Sequence, residues 1–123
     1  MNRLISEAIQ YDNIIIGESS HGSHEFAETK FEITKHLLDH ISFIAVEWDW
    51  SDCYDINQYV THQTNFYTLT TSRWPHFMWE NNETLNFIAH LRKYNSKRKR
   101  KVSFFGLDIF GVERCVKQLG FNT

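Results

Sequence analysis

Nine consecutive residues, Ile14-Ile15-Ile16-Gly17-Glu18-Ser19-Ser20-His21-Gly22, constrain the fold more than any other stretch of this 123-residue chain. A run of β-branched apolar side chains stops at a glycine. A turn of small residues follows, carrying a carboxylate and an imidazole three positions apart. A short apolar run bounded by turn formers reads as a buried strand. From Ser23 onward the pattern becomes helical. Glu18 and His21 therefore fall at the carboxyl end of a strand, where ligands and chemistry gather in open α/β sheets.

The rest of the chain reads in the same alternation. Leu4, Ile5, Ala8 and Ile9 recur at helical spacing ahead of the first strand, residues 13–17. Ser23 caps the next helix, and Glu25 and Glu28 lie in its first turns, where acids suit the helix dipole. Its apolar stripe runs through Phe26, Ile33 and Leu37, with Phe31 and Leu38 beside it. The second strand, residues 42–47, is apolar on both faces, as a parallel strand covered by helices should be. After a turn at Trp48-Asp49-Trp50-Ser51, a helix starts at Ser51 or Asp52 and runs through Val60. Residues 62–73 are irregular. Pro75 suits the first turn of a further helix. Asn82 caps another piece with Leu85, Ile88, Ala89 and Leu91 inward. The third strand, residues 102–107, ends at Asp108, and residues 109–119 begin a last helix. Strands joined by helical crossovers make the expected fold α/β, a three-stranded parallel sheet with right-handed connections.

Charge narrows the partners. The net charge of −2 gives no global bias toward nucleic acid or an anionic membrane. Lys97, Arg98, Lys99, Arg100 and Lys101 form a single basic run, read as a solvated turn. Two cysteines, Cys53 and Cys115, make neither a metal pair nor a disulfide framework, which suits a reducing cytoplasm. No segment has the length of a membrane span.

All three expected strands end in an acid: Glu18, Glu47 and Asp108. In a parallel sheet these ends point the same way. A neutral His21 can take a proton from water while a carboxylate holds its other ring nitrogen, which is general-base hydrolysis. Glu18, His21, His24 and Glu47 can alternatively form a nitrogen- and oxygen-rich metal shell. A serine nucleophile fits worse, because the fifth residue from Gly17 is His21 where the elbow motif needs glycine. A phosphate loop fits no better, since Ser23-His24 replaces the Lys-Ser/Thr pair after Gly22. Trp48, Trp50, Trp74, Phe77 and Trp79 read either as core or as the wall of an apolar pocket. His36, His40, His62, His76 and His90 show no ligand spacing.

Four segments together resemble the erythromycin esterase family. Residues 16–26, Ile-Gly-Glu-Ser-Ser-His-Gly-Ser-His-Glu-Phe, resemble its first motif. Phe43-Ile44-Ala45-Val46-Glu47-Trp48-Asp49-Trp50 is similar to its second strand. Trp74-Pro75-His76-Phe77-Met78-Trp79-Glu80-Asn81, with Leu91-Arg92-Lys93-Tyr94-Asn95 after it, resembles its Pro-x-x-Met-Trp helix. Phe104-Phe105-Gly106-Leu107-Asp108 resembles the next strand. The likeness runs from about residue 13 to 110, and the tail from Gly111 departs from it.

The family includes enzymes that open macrolide lactones by hydrolysis. The resemblance implies water activation by His21 without a covalent serine, with Glu18 and Glu47 orienting and polarising. Lys30 stands where the family usually has an arginine; it keeps the charge and loses the planar fork. The expected site is therefore His21, Glu18 and Glu47 as catalytic groups, and Lys30, Trp48, Trp79 and Asp108 as substrate contacts. No metal or cofactor is expected, and the partner is a small-molecule ester or lactone. A metal- or haem-binding module without turnover is the alternative. Family members are several times longer and carry a further catalytic histidine downstream. Residues 1–123 are thus expected to be the amino-terminal part of such a domain, nearly inactive alone and prone to self-association through exposed apolar faces.

Overall fold

The computed structural model describes residues 1–65 and 76–121. Its elements in chain order are α1 (Asn2–Ala8), α2 (His24–Leu37), β1 (Phe43–Asp49), α3 (Trp50–Val60), α4 (His76–Trp79), α5 (Asn82–Ser96), β2 (Ser103–Asp108) and α6 (Val112–Gln118). β1 and β2 pair in parallel, with α3 and α5 in the crossover between them. The α/β reading with a parallel sheet and helical connections holds.

The third strand does not. Among the described residues the sheet has two strands, and residues 13–18 have no regular secondary structure. Ile14 and Ile16 are half-buried while Ile15 between them is 94% exposed. A one-sided run of this kind lacks the second layer that a fully buried parallel strand needs. The same holds for β1, expected to be apolar on both faces. Ile44, Val46 and Trp48 turn toward the core, while Phe43, Ala45 and Glu47 face out. In β2, Phe104 and Gly106 are buried and Phe105 and Leu107 are exposed. Phe43 and Phe105 meet on this open face with ring centroids 6.1 Å apart.

The covered face carries the core. Phe31, Leu38, Trp48, Cys53, Ile56, Val60, Trp79, Phe87, Ile88, Leu91, Val102 and Phe104 form one apolar cluster. Burying each large side chain contributes about 1.5–3 kcal/mol. The Phe31 and Phe87 rings stack at 4.6 Å and join α2 to α5. Trp48 and Trp79 stack at 5.3 Å with planes 2° apart. The buried stripe of α2 is Phe31, Thr34 and Leu37, so the helix is rotated from the expected stripe and Phe26 is exposed. In α5, Phe87, Ile88 and Leu91 are buried, whereas Leu85 and Ala89 face out.

Polar side chains finish the backbone pairing. Buried Asn95 donates to the carbonyls of Val60 (3.0 Å) and Val102 (2.9 Å) and accepts from the Val102 N–H (2.9 Å). The Asn57 side-chain oxygen accepts from the Phe104 N–H at 2.9 Å, which caps the edge of β2 with α3. Asn81, one residue before the expected cap, accepts from the Thr84 N–H at 2.9 Å and starts α5. Cys53 and Cys115 are buried and unbridged. Pro75, and all but four residues of the stretch expected to be irregular, lie outside the described residues.

Near its end the ladder slips. Val46 pairs with Gly106, but Asp49 pairs with Asp108, so β1 spends an extra residue and bulges. Gly106 permits this. A Cβ at that position would lie 2.4 Å from the Trp48 carbonyl oxygen and 2.7 Å from that of Asp49.

Candidate functional site

The bulge carries β1 past Glu47, so the acid that closes this strand is Asp49. It is 1% exposed. Its Oδ1 accepts from the Ser51 N–H at 2.8 Å and caps α3. Its Oδ2 accepts from the N–H groups of Phe110 (2.7 Å) and Gly111 (2.9 Å) at the entry to α6. Burial pushes its carboxyl upward, but the Ser51 hydroxyl and these backbone donors outweigh it and hold the group below the usual range. Asp49 ties together the strand end and the starts of two helices. Its signal in the sequence was the cap pattern Asp-x-Ser, read there as a turn.

The chemistry-bearing loop lies elsewhere, before α2. The His21 Nδ1 is 2.9 Å from Glu18 Oε1, and the Lys30 ammonium donates to Glu18 Oε2 at 3.0 Å. Both oxygens of one carboxylate are thus engaged. Burial raises the Glu18 carboxyl, and its bonds from His21 and Lys30 lower it by more, so the net direction is down. An ionised carboxylate only accepts, so the nitrogen facing it carries the proton. In the neutral ring Nε2 then keeps the lone pair. The His21 side chain is 46% exposed, within reach of water.

Lys30 is anchored in turn. Its ammonium lies 4.9 Å from the centre of the Trp79 ring, over the electron-rich face that attracts cations. The Trp79 Nε1–H donates to the Glu47 carbonyl at 2.9 Å. A continuous path therefore leads from β1 through Trp79, Lys30 and Glu18 to His21. Glu47 joins it with its backbone. Its side chain stands on the open face of the sheet, and no hydrogen bond or ion pair links its carboxylate to Glu18 or His21.

A cleft of about 100 Å³ opens beside this group, lined by Glu18, Gly22, Ser23, His24, Ala27, Lys30, Met78, Asn81 and Glu83. Of the expected substrate contacts, Lys30 lines it. Trp48 and Trp79 do not: at 2% and 3% exposed they are core side chains. Asp108 is half-buried at the end of β2, outside the cleft. Glu83 and Asn81 were not foreseen, because nothing local marks them; only the packing of α5 on α2 brings them here. Among the described residues no group of three or more His, Cys, Asp or Glu side chains is arranged to hold a metal ion. The set Glu18, His21, His24 and Glu47 is not gathered. Among the described residues no helix is long and apolar enough to cross a membrane.

These features define an α/β domain with a carboxylate-held imidazole on a loop beside the sheet. The family model described as erythromycin esterase matches residues 40–119, and the chain belongs to the erythromycin esterase family. The matched stretch begins after the Glu18–His21 loop and reaches through α6, so the tail expected to depart from the family lies largely within it. In structure the chain is similar to a Bacillus cereus protein solved by crystallography, with a TM-score of 0.70 and 28% identity over 83% of this chain. It spans 25% of that protein's length.

Proposed function

We propose that this chain contributes one wall of an esterase-type site in which His21 activates water against a carboxylic ester or lactone, macrolide lactones included. The observation that carries this reading is the bond between His21 Nδ1 and Glu18 Oε1, with Lys30 on the second oxygen. Glu18 orients the ring and stabilises the imidazolium that forms. His21 Nε2 takes a proton from water as the water oxygen bonds to the carbonyl carbon. The tetrahedral species then breaks its C–O bond, and the proton passes from His21 to the leaving alcohol. Lys30 keeps Glu18 ionised and in place. Glu47 and Asp108, which stand outside the cleft, are given no role in this step. Trp79 acts through Lys30, and Trp48 supports Trp79 by stacking.

The test is ester and macrolide hydrolysis by the full-length protein, followed by mass spectrometry of the opened product. Changing His21 to Ala should lower kcat by a factor of about 10²–10⁴. Undiminished turnover in that variant would remove His21 as the base.

A further inference from the structure

The loop bearing Glu18 and His21 is held in an unusual way. Among the described residues, 13–22 make no backbone–backbone hydrogen bond. Side chains must therefore set its position. The Glu18–Lys30 pair fastens it to α2, the helix the loop itself enters. A polar tie from the start of α2 to a distant element is made by His24, whose Nδ1–H donates to Glu83 Oε1 at 2.5 Å, 59 positions further along. Both residues line the cleft. Between His21 and His24 lies Gly22 with φ of +78°, a left-handed turn suited to glycine. The candidate base and the anchored imidazole are thus three positions apart.

We propose that His24 and Glu83 are positioning residues, whose ion pair fastens the start of α2 to the start of α5 and so sets where Glu18 and His21 stand. The catalytic consequence rests on the hydrolase reading; the positioning itself does not.

The surroundings favour an ionic pair. Glu83's hydrogen bond and charge push the His24 imidazole upward against slight burial, and Glu28 (3.7 Å away) and Glu25 on its own helix add to this. Glu83 is pulled down, first by its own backbone N–H at the helix start and then by His24, with burial opposing. The other charged groups at the cleft, Glu18 and Lys30, are engaged with each other, and His21 faces Glu18. Because the folded imidazole titrates above its unfolded value, the tie is complete below that unfolded value. It is lost as pH rises through the raised one.

Hydrogen exchange of the amides of residues 27–30, bonded within the first turns of α2, tests the tie in the full-length protein, with far-UV dichroism confirming the fold of each variant. Glu83→Gln and His24→Gln should each raise exchange about fivefold, the effect of losing an exposed pair. His24→Lys should restore protection and extend it to alkaline pH. Turnover should fall in kcat more than rise in KM for Glu83→Gln, and His24→Lys should move the alkaline limb of the pH profile upward. Wild-type exchange rates in both Gln variants, or no recovery in the Lys variant, would overturn the proposal. Exchange that behaves as expected in a protein without ester turnover would uphold the tie and remove the hydrolase reading instead.

Discussion

The end of the sheet and the loop before α2 each carry an acid, but they hold it by opposite means. Asp49 is enclosed, and its partners are mainly backbone N–H groups. Glu18 sits on an unladdered segment, and its partners are a lysine and a histidine side chain. Backbone donors belong to elements that move only when the domain unfolds. Charged side chains exchange partners with water at small cost. One acid therefore stabilises the fold, while the other is free to serve chemistry. Backbone pairing of an acid is found at the bulge and gives way to side-chain pairing at the loop.

Four substitutions probe that contrast. The largest effect is expected from Gly106→Ala, whose methyl would collide with two carbonyl oxygens of β1. A loss of about 4 kcal/mol or more in urea unfolding is expected, since backbone cannot yield as a side chain can. Asp49→Ala comes next, at about 2–3 kcal/mol, because buried N–H groups lose their acceptor. The folded Asp49 carboxyl titrates below its unfolded value, so its contribution is complete above the ordinary carboxylate range. It is lost as pH falls through the lowered value, and this part of the acid destabilisation should be absent in the Ala variant. Trp79→Phe keeps an aromatic ring against Trp48 but loses the bond to the Glu47 carbonyl, for about 1 kcal/mol. Lys30→Met should shift the unfolding midpoint least, by about 0.5 kcal/mol. That variant should nevertheless speed proteolytic cleavage within residues 13–22, and equal cleavage rates with and without Lys30 would erase the contrast drawn here.

Much of the scaffold could be read in advance because its signals are local. The apolar runs of β1 and β2, the acid-rich start of α2 and the helical spacing of α5 all announce themselves within a few residues. Ile14-Ile15-Ile16 misled, since a strand also needs a neighbour to pair with, and periodicity alone does not report one. Glu47 was taken as the strand end because the bulge that extends β1 to Asp49 depends on Gly106, 60 positions from Val46. The two tryptophans were legible as aromatic mass but not as core, because burial depends on α4 meeting β1. Glu18 and His21 were found together because they are only three positions apart. His24 and Glu83 meet through tertiary packing alone.

Trp79 is gripped twice, at its nitrogen by the rim of β1 and across its ring by an ammonium. An indole clamped in this way behaves as a strut. A shift of the sheet's rim is passed to Lys30 and from there to the carboxylate it grips, so the aim of the imidazole is geared to the sheet through a single aromatic side chain.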